Sequence, residues 1–82
     1  MTRDEILGKL RAVMGRTSQA KVDWSTVGEQ NSIASLGIDS LAMLDLMYDL
    51  QQEFGIEFEP QDLVKVSTVG DLAAFIEGRM SA

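Results

Sequence analysis

The chain has 82 residues, a net charge of −6, and neither cysteine nor histidine. Its length predicts one small domain spanning residues 1–82, and the missing residue types exclude disulfide bonds and catalytic units of the Ser-His-Asp or Cys-His kind. The absence of a signal peptide and of a long apolar run predicts a cytoplasmic protein without membrane insertion.

A capping pattern followed by helical periodicity predicts a first helix from Thr2 to Met14. Thr2 and Glu5 have the spacing of a capping box, in which each side chain accepts a hydrogen bond from the other residue's backbone N–H. Gly15 is a typical helix stop. The face expected inside carries apolar residues at three- and four-residue spacing: Ile6, Leu7, Leu10, Val13 and Met14.

Residues 16–38 show no long helical pattern, which is unusual inside a compact domain. Apolar residues recur along the segment, and we expect them to anchor an ordered crossover to the core: Val22, Trp24, Val27, Ile33 and Leu36. One short helical turn is expected at 32–36.

A second helix is predicted from Ser40 to Phe54, because Asp39 can cap its N-terminus and Gly55 can end it. The inward stripe is Met43, Leu46, Met47, Leu50 and Phe54. The opposite side mixes apolar and acidic residues: Leu41, Leu44, Asp45, Tyr48, Asp49 and Gln52. A solvated face would carry more charge and a core face would carry no acids, so this side is a candidate contact surface.

A short third helix is expected near Pro60, which suits a first helical turn, with Leu63 and Val64 pointing inward. Three acids lie close together in this part of the sequence: Glu57, Glu59 and Asp62. They lack the spacing of a calcium loop and no histidine accompanies them, so no metal site is predicted.

A fourth helix is predicted from Val69 to Glu77 and ended by Gly78. Thr68 is its expected N-cap, and Asp71 favours the first turn. Its inward residues are Leu72, Phe75 and Ile76.

These elements predict an all-α fold, a small antiparallel four-helix bundle with three main helices, one short helix and a long loop between the first two. Residues 1–22 carry a net charge of +3, whereas residues 23–64 hold nine acids and no base. Such an acidic middle repels nucleic acid and attracts basic protein surfaces, with a merely solvated face as the alternative. We expect a monomer.

Ser40 is the residue on which the functional interpretation depends. At the start of a helix, its hydroxyl should lie at the protein surface. No His or Cys accompanies it, so a surface serine here is more consistent with a modified residue than with a nucleophile. An Asp-Ser pair at a helix start is nevertheless most often only a cap.

The run Leu36-Gly37-Ile38-Asp39-Ser40-Leu41 resembles the Leu-Gly-x-Asp-Ser-Leu signature of acyl carrier proteins. The resemblance extends in order and spacing over residues 32–78, whereas residues 3–15 match only as an amphipathic helix. It implies that Ser40 carries 4′-phosphopantetheine, attached by a separate phosphopantetheinyl transferase. It also implies that Asp39 assists that transferase besides capping the helix.

The resemblance further implies a carrier and not an enzyme, which holds acyl groups as thioesters and delivers them to fatty-acid or polyketide-type synthase enzymes. Its partners would be acyltransferase, ketosynthase or acyl-activating enzymes with basic docking surfaces. The expected partner interface is Asp39, Leu41, Leu44, Asp45, Tyr48 and Asp49. Met43 and Met47 are expected in the core, with a groove for the cargo as the alternative.

Two departures from common fatty-acid carriers favour a specialised pathway. Ala42 stands where those proteins usually place an acid, and residues 51–53 replace an acidic run that Asp49 partly restores. A peptidyl or aminoacyl carrier is an alternative, although that branch usually has Gly-Gly where this chain has Gly37-Ile38. An unmodified acidic helical adaptor is a further alternative. Met1 and the short C-terminal tail favour a free-standing protein.

Overall fold

The computed structural model describes residues 2–17 and 22–81. Three α-helices, α1 (Arg3–Thr17), α2 (Ser40–Phe54) and α3 (Val69–Ser81), form a bundle, so the predicted all-α fold is confirmed. The connecting segments contain three short 3₁₀-helices: Trp24–Thr26, Ala34–Leu36 and Pro60–Leu63. None of the helices in the described ranges is long and apolar enough to cross a bilayer.

The apolar stripes of the three α-helices meet in one core, because α1 packs against both α2 and α3. All five predicted inward residues of α1 are buried. Leu46 and Leu50 of α2 and Leu72 of α3 are fully enclosed, each with 0% exposure. Met43 and Phe75 are only half-buried and pack at the edge of this core.

Reciprocal capping boxes start α1 and α3. Thr2 N–H donates to Glu5 Oε1 at 3.0 Å, and Glu5 N–H donates to Thr2 Oγ1 at 3.2 Å. Asp71 Oδ2 accepts from the backbone N–H groups of Ser67 and Thr68, each at 3.2 Å. These backbone hydrogen bonds stabilise the ionised carboxylates and lower the pKa of Glu5 and of Asp71 below their usual values.

The glycines expected to end α1 and α3 do not end them, so those two predictions are wrong. α1 continues through Gly15 to Thr17, and α3 continues through Gly78 to Ser81. Positive φ values, which let a glycine terminate a helix, occur among the described residues only at Gly37 (79°) and Gly55 (66°). The last turn of α3 is also held by Arg79, which pairs with a carboxylate of the preceding loop.

The predicted third helix is the four-residue 3₁₀-helix Pro60–Leu63, and Val64 does not point inward. Leu63 is buried, but Val64 is 80% exposed, which corrects the prediction. The helix ends at Leu63, and Val64 follows it as the C-cap, its N–H donating to Gln61 O at 3.4 Å. Val66, two residues later, packs against the core instead.

The long crossover is tied to the start of α3 by its backbone. Residues 29–33 run beside 67–70, with one antiparallel bridge between Ser32 and Thr68. Three backbone hydrogen bonds of 2.9 Å join the segments: Ile33 N–H to Ser67 O, Val69 N–H to Asn31 O and Gly70 N–H to Glu29 O. The predicted anchors lie in or against the core, and residues 18–21 of the crossover lie outside the described residues.

Candidate attachment site and contact surface

A tight turn presents Ser40 at the first position of α2. Gly37, with a φ of 79°, ends the turn Ala34–Leu36, and Ile38 is buried beyond it with 4% exposure. Asp39 then takes an extended conformation, and its Oδ1 accepts the N–H of Ala42 at 2.8 Å. The predicted N-cap is therefore present, and Ser40 is exposed. The chain thus passes from the buried Ile38 to two exposed residues, Asp39 and Ser40.

An apolar groove of about 450 Å³ opens beside Ser40. Its wall on α2 is the half-buried Met43, and the rest of its apolar lining is Ile33, Ala34, Ile38 and Val66. Met47 is buried in the core and is not part of the groove. Of the two methionines, only Met43 therefore occupies the position that a cargo groove would require.

A second hollow, of about 310 Å³, lies between the end of α1 and the start of α2 and is lined by Asp39, Asp45 and Thr17 among others. Asp39 and Asp45 contribute its two carboxylates. Within residues 2–17 and 22–81, no group of three or more His, Cys, Asp or Glu side chains could hold a metal ion. Of the acids near Pro60, Asp62 is engaged in capping, since its Oδ2 accepts the Glu59 N–H at 2.8 Å.

The predicted partner interface forms one face of α2, which we call the outward face: Asp39, Leu41, Leu44, Asp45, Tyr48 and Asp49. Three large apolar side chains on it are exposed: Leu41 by 75%, Leu44 by 54% and Tyr48 by 65%. Asp39 and Asp45 are also exposed, whereas Asp49 is half-buried and accepts a hydrogen bond from the Thr17 hydroxyl at 3.5 Å. Asp49 therefore lies at the border of the face.

The outward face keeps its negative charge because none of the ion pairs found among the described residues uses its acids. All ion pairs found there use a cation of α1 or α3: Arg3 with Glu29 (3.0 Å) and Glu77 (3.5 Å), Lys9 with Glu53 (3.8 Å), and Arg79 with Asp62 (3.1 Å). None of these involves Asp39, Asp45 or Asp49. The face is therefore both apolar and acidic.

Sequence reasoning missed the segment that follows α2. Ile56 and Phe58 are buried, and the Phe58 ring meets the Phe75 ring edge-to-face with centroids 5.2 Å apart. Gln51 joins this segment to α2, since its Oε1 accepts the Phe58 N–H at 3.4 Å and its Nε2 donates to Met47 O at 3.3 Å. The alternation of apolar and acidic residues at 56–59 was the signal for an extended, half-buried segment.

A helical bundle that presents an exposed serine at a helix start, beside an apolar groove and an acidic face, has the features of a carrier domain. The family model described as the phosphopantetheine attachment site matches residues 4–76. The chain therefore belongs to the phosphopantetheine-binding family of acyl carrier proteins.

Known relatives agree along the whole chain. It is 39% identical over 80 residues to the acyl carrier protein of Thermotoga maritima, with 96% of each chain covered. It is 35% identical over 83 residues to the acyl carrier protein of Thermosynechococcus vestitus, with 100% of each covered.

Two solved structures share the fold. An acyl carrier protein from Thermotoga maritima superposes with a TM-score of 0.81 and 24% identity, over 96% of this chain and 91% of that one. The hexanoyl carrier protein of the actinorhodin polyketide synthase of Streptomyces coelicolor gives 0.75 and 22%, over 88% and 86%.

Family membership confirms the predicted carrier role and the phosphopantetheine cofactor. Acyl carrier proteins are carriers and not catalysts, and they act with synthase enzymes and a phosphopantetheinyl transferase.

Proposed function

We propose that Ser40 carries the 4′-phosphopantetheine arm and that residues 1–82 act as one monomeric acyl carrier domain in the cytoplasm. The observation that supports this most is the exposure of Ser40 at the first position of α2, directly after the cap Asp39. The positive end of the helix dipole there favours a phosphodiester anion. The arm supplies the thiol that this cysteine-free chain lacks, to which acyl groups are joined as thioesters.

The groove beside Ser40 gives the proposed cargo a place to lie. Its apolar lining of Ile33, Ile38, Met43 and Val66 would remove a hydrocarbon chain from water, worth about 0.8 kcal/mol per buried CH₂ group. Met43 is unbranched and flexible, so it can adjust to chains of different shape. A fatty-acyl or polyketide-type cargo fits this lining.

The attachment is tested by intact mass after incubation with coenzyme A and a broad-specificity phosphopantetheinyl transferase. The protein should gain one phosphopantetheine and one free thiol. Ser40→Ala should gain neither while it keeps its helical circular dichroism spectrum. Ser35→Ala is the matched control, because Ser35 is also exposed and lies five residues before Ser40 in the 3₁₀-helix Ala34–Leu36, and this variant should be labelled normally. Labelling of Ser40→Ala would sink the assignment.

We further propose that the outward face of α2 docks the partner enzymes, namely an acyltransferase, ketosynthase or acyl-activating enzyme with a basic surface. Its exposed apolar side chains supply contact area, and Asp45 meets Arg or Lys of the partner. Common fatty-acid carriers place an acid at the position of Ala42. Apolar contact should therefore contribute a larger share of the docking free energy in this chain than in those proteins. This departure supports partners from a specialised pathway.

Loading rates by a cognate synthase enzyme, measured across ionic strength, test the docking face. Leu44→Ala and Tyr48→Ala should slow loading at every salt concentration, because each removes exposed contact area. Asp45→Asn should slow association and reduce its salt sensitivity. Two control variants should load like the parent. Met80→Ala removes an exposed apolar side chain from α3, and Asp4→Asn removes a negative charge from α1. If the three α2 variants also load like the parent, the docking surface lies elsewhere.

A further inference from the structure

We propose that the cleft between the outward face of α2 and the segment after it receives an arginine side chain of the partner protein. The cleft has a volume of about 460 Å³ and is lined by Tyr48, Gln51, Gln52, Gly55, Ile56 and Glu57. We call it the Tyr48–Glu57 cleft. The inference rests on the proposed docking role of α2, and it adds Gln52 and Glu57, which are outside the predicted interface.

The chemistry of the cleft matches a guanidinium group. Tyr48 offers an exposed aromatic ring, and the face of such a ring attracts a cation through a cation–π interaction. Glu57 is exposed on the other side and can accept two parallel N–H bonds. A planar guanidinium can stack on a ring and pair with a carboxylate at once, whereas a lysine ammonium makes only point contacts.

The charge of Glu57 is not neutralised within the described part of the chain. No Lys or Arg of residues 2–17 or 22–81 lines the Tyr48–Glu57 cleft, and none forms an ion pair with Glu57 there. Glu57 also borders a neighbouring hollow that contains Arg79. Arg79 is held away from it, because its guanidinium pairs with Asp62 and lies 5.2 Å from the Phe75 ring centroid.

Gln51 links the two sides of the cleft. Its Nε2 donates to Met47 O and its Oε1 accepts the Phe58 N–H, so the backbone of the segment that carries Glu57 is tied to α2. Gly55 also lines the cleft, and a Cβ added there would meet no atom within 4 Å. A site whose backbone is already ordered loses less conformational entropy when it binds a ligand.

The direct test uses N-acetyl-arginine amide as the probe and the phosphopantetheine-loaded protein as the target. Amide chemical shifts are followed by NMR during titration, with N-acetyl-citrulline amide as the neutral isostere. We expect a saturable change in the amide chemical shifts of Tyr48 and of residues 51–57, and of no others. The change should occur with the arginine probe and not with the citrulline probe. Shifts scattered over all acidic residues, or equal shifts with citrulline, would overturn the proposal.

Matched variants decide whether the two named side chains form the site. Tyr48→Leu and Glu57→Gln should each weaken arginine binding about 2- to 5-fold, as expected for an exposed cation–π contact or ion pair. Tyr48→Phe keeps the ring and Asp4→Asn removes an equal charge elsewhere, so both should bind like the parent. Unchanged binding in Tyr48→Leu and Glu57→Gln would contradict the assignment.

The outcome separates this inference from the proposed function. Arginine binding should persist in Ser40→Ala, because the cleft does not involve the arm. If binding is absent while Leu44→Ala still slows loading, the cleft proposal fails and the docking face stands. If arginine binds while loading is unaffected by the α2 variants, the cleft binds a guanidinium group but the proposal that the partner docks through it is overturned.

Discussion

Asp39 caps α2 and is proposed to assist the transferase, and substitutions can separate the observed role from the proposed one. Its carboxylate caps α2 through the Ala42 N–H at 2.8 Å, and its charge lies beside the proposed attachment residue. Asp39→Ala should lower the free energy of unfolding by about 1 kcal/mol, because the cap is lost. Asp39→Asn should keep most of that stability, since asparagine also caps well, yet it should slow modification of Ser40 by the transferase. Urea denaturation and a modification time course measure the two effects, and parental modification of Asp39→Asn would contradict a role for the charge.

At the scale of elements, the contact between the crossover and α3 depends on a residue without a side chain. A Cβ added at Gly70 would lie 2.9 Å from Glu29 Cβ and 3.0 Å from Glu29 O, so backbone would have to move. Gly70→Ala should therefore destabilise the protein, although alanine is the better helix former. Gly78→Ala on the same helix meets no atom within 4 Å and should stabilise by about 0.5–1 kcal/mol. Thermal unfolding of both variants is the measurement, and equal effects of the same sign would refute the close contact.

Sequence patterns predicted α2 better than its neighbours for a physical reason. Asp39 and Gly55 both give local signals, and a cap and a positive φ act within one turn of chain. Gly15 and Gly78 give the same local signal, but helical residues follow them, and Arg79 beyond Gly78 pairs with Asp62 of the preceding 3₁₀-helix. The exposure of Ser40 and of the outward face was predictable because both lie on α2. The Tyr48–Glu57 cleft was not, because it depends on the long-range packing of Phe58 against Phe75.

For the whole molecule, stability rests on one small core. Leu46 and Leu50 have 0% exposure at its centre, so truncating either to alanine should cost about 2–5 kcal/mol. A domain of this size has a total stability on the order of 5 kcal/mol, so either variant should be largely unfolded at moderate urea concentrations. Leu44→Ala removes the same atoms from the exposed side of the same helix and should change stability by less than about 0.5 kcal/mol. Losses below about 1 kcal/mol at both core sites would mean that the wrong face of α2 has been placed inside.

The pairing of cations on α1 and α3 with acids away from the outward face has a consequence at a distance. α1 belongs to residues 1–22, which carry a net charge of +3, and α2 belongs to the acidic residues 23–64. α1 packs against the inward side of α2. Because Asp39 and Asp45 form no ion pair within the described residues, whereas Arg3, Lys9 and Arg79 are paired, the charge is distributed unevenly and the molecule has a dipole besides its net negative charge. The electric field of a cationic enzyme exerts a torque on a dipole. At physiological ionic strength this torque acts only within about one Debye length, roughly 8–10 Å. The carrier would rotate as it approaches, so that Ser40 and α2 lead and fewer encounters begin in the wrong orientation.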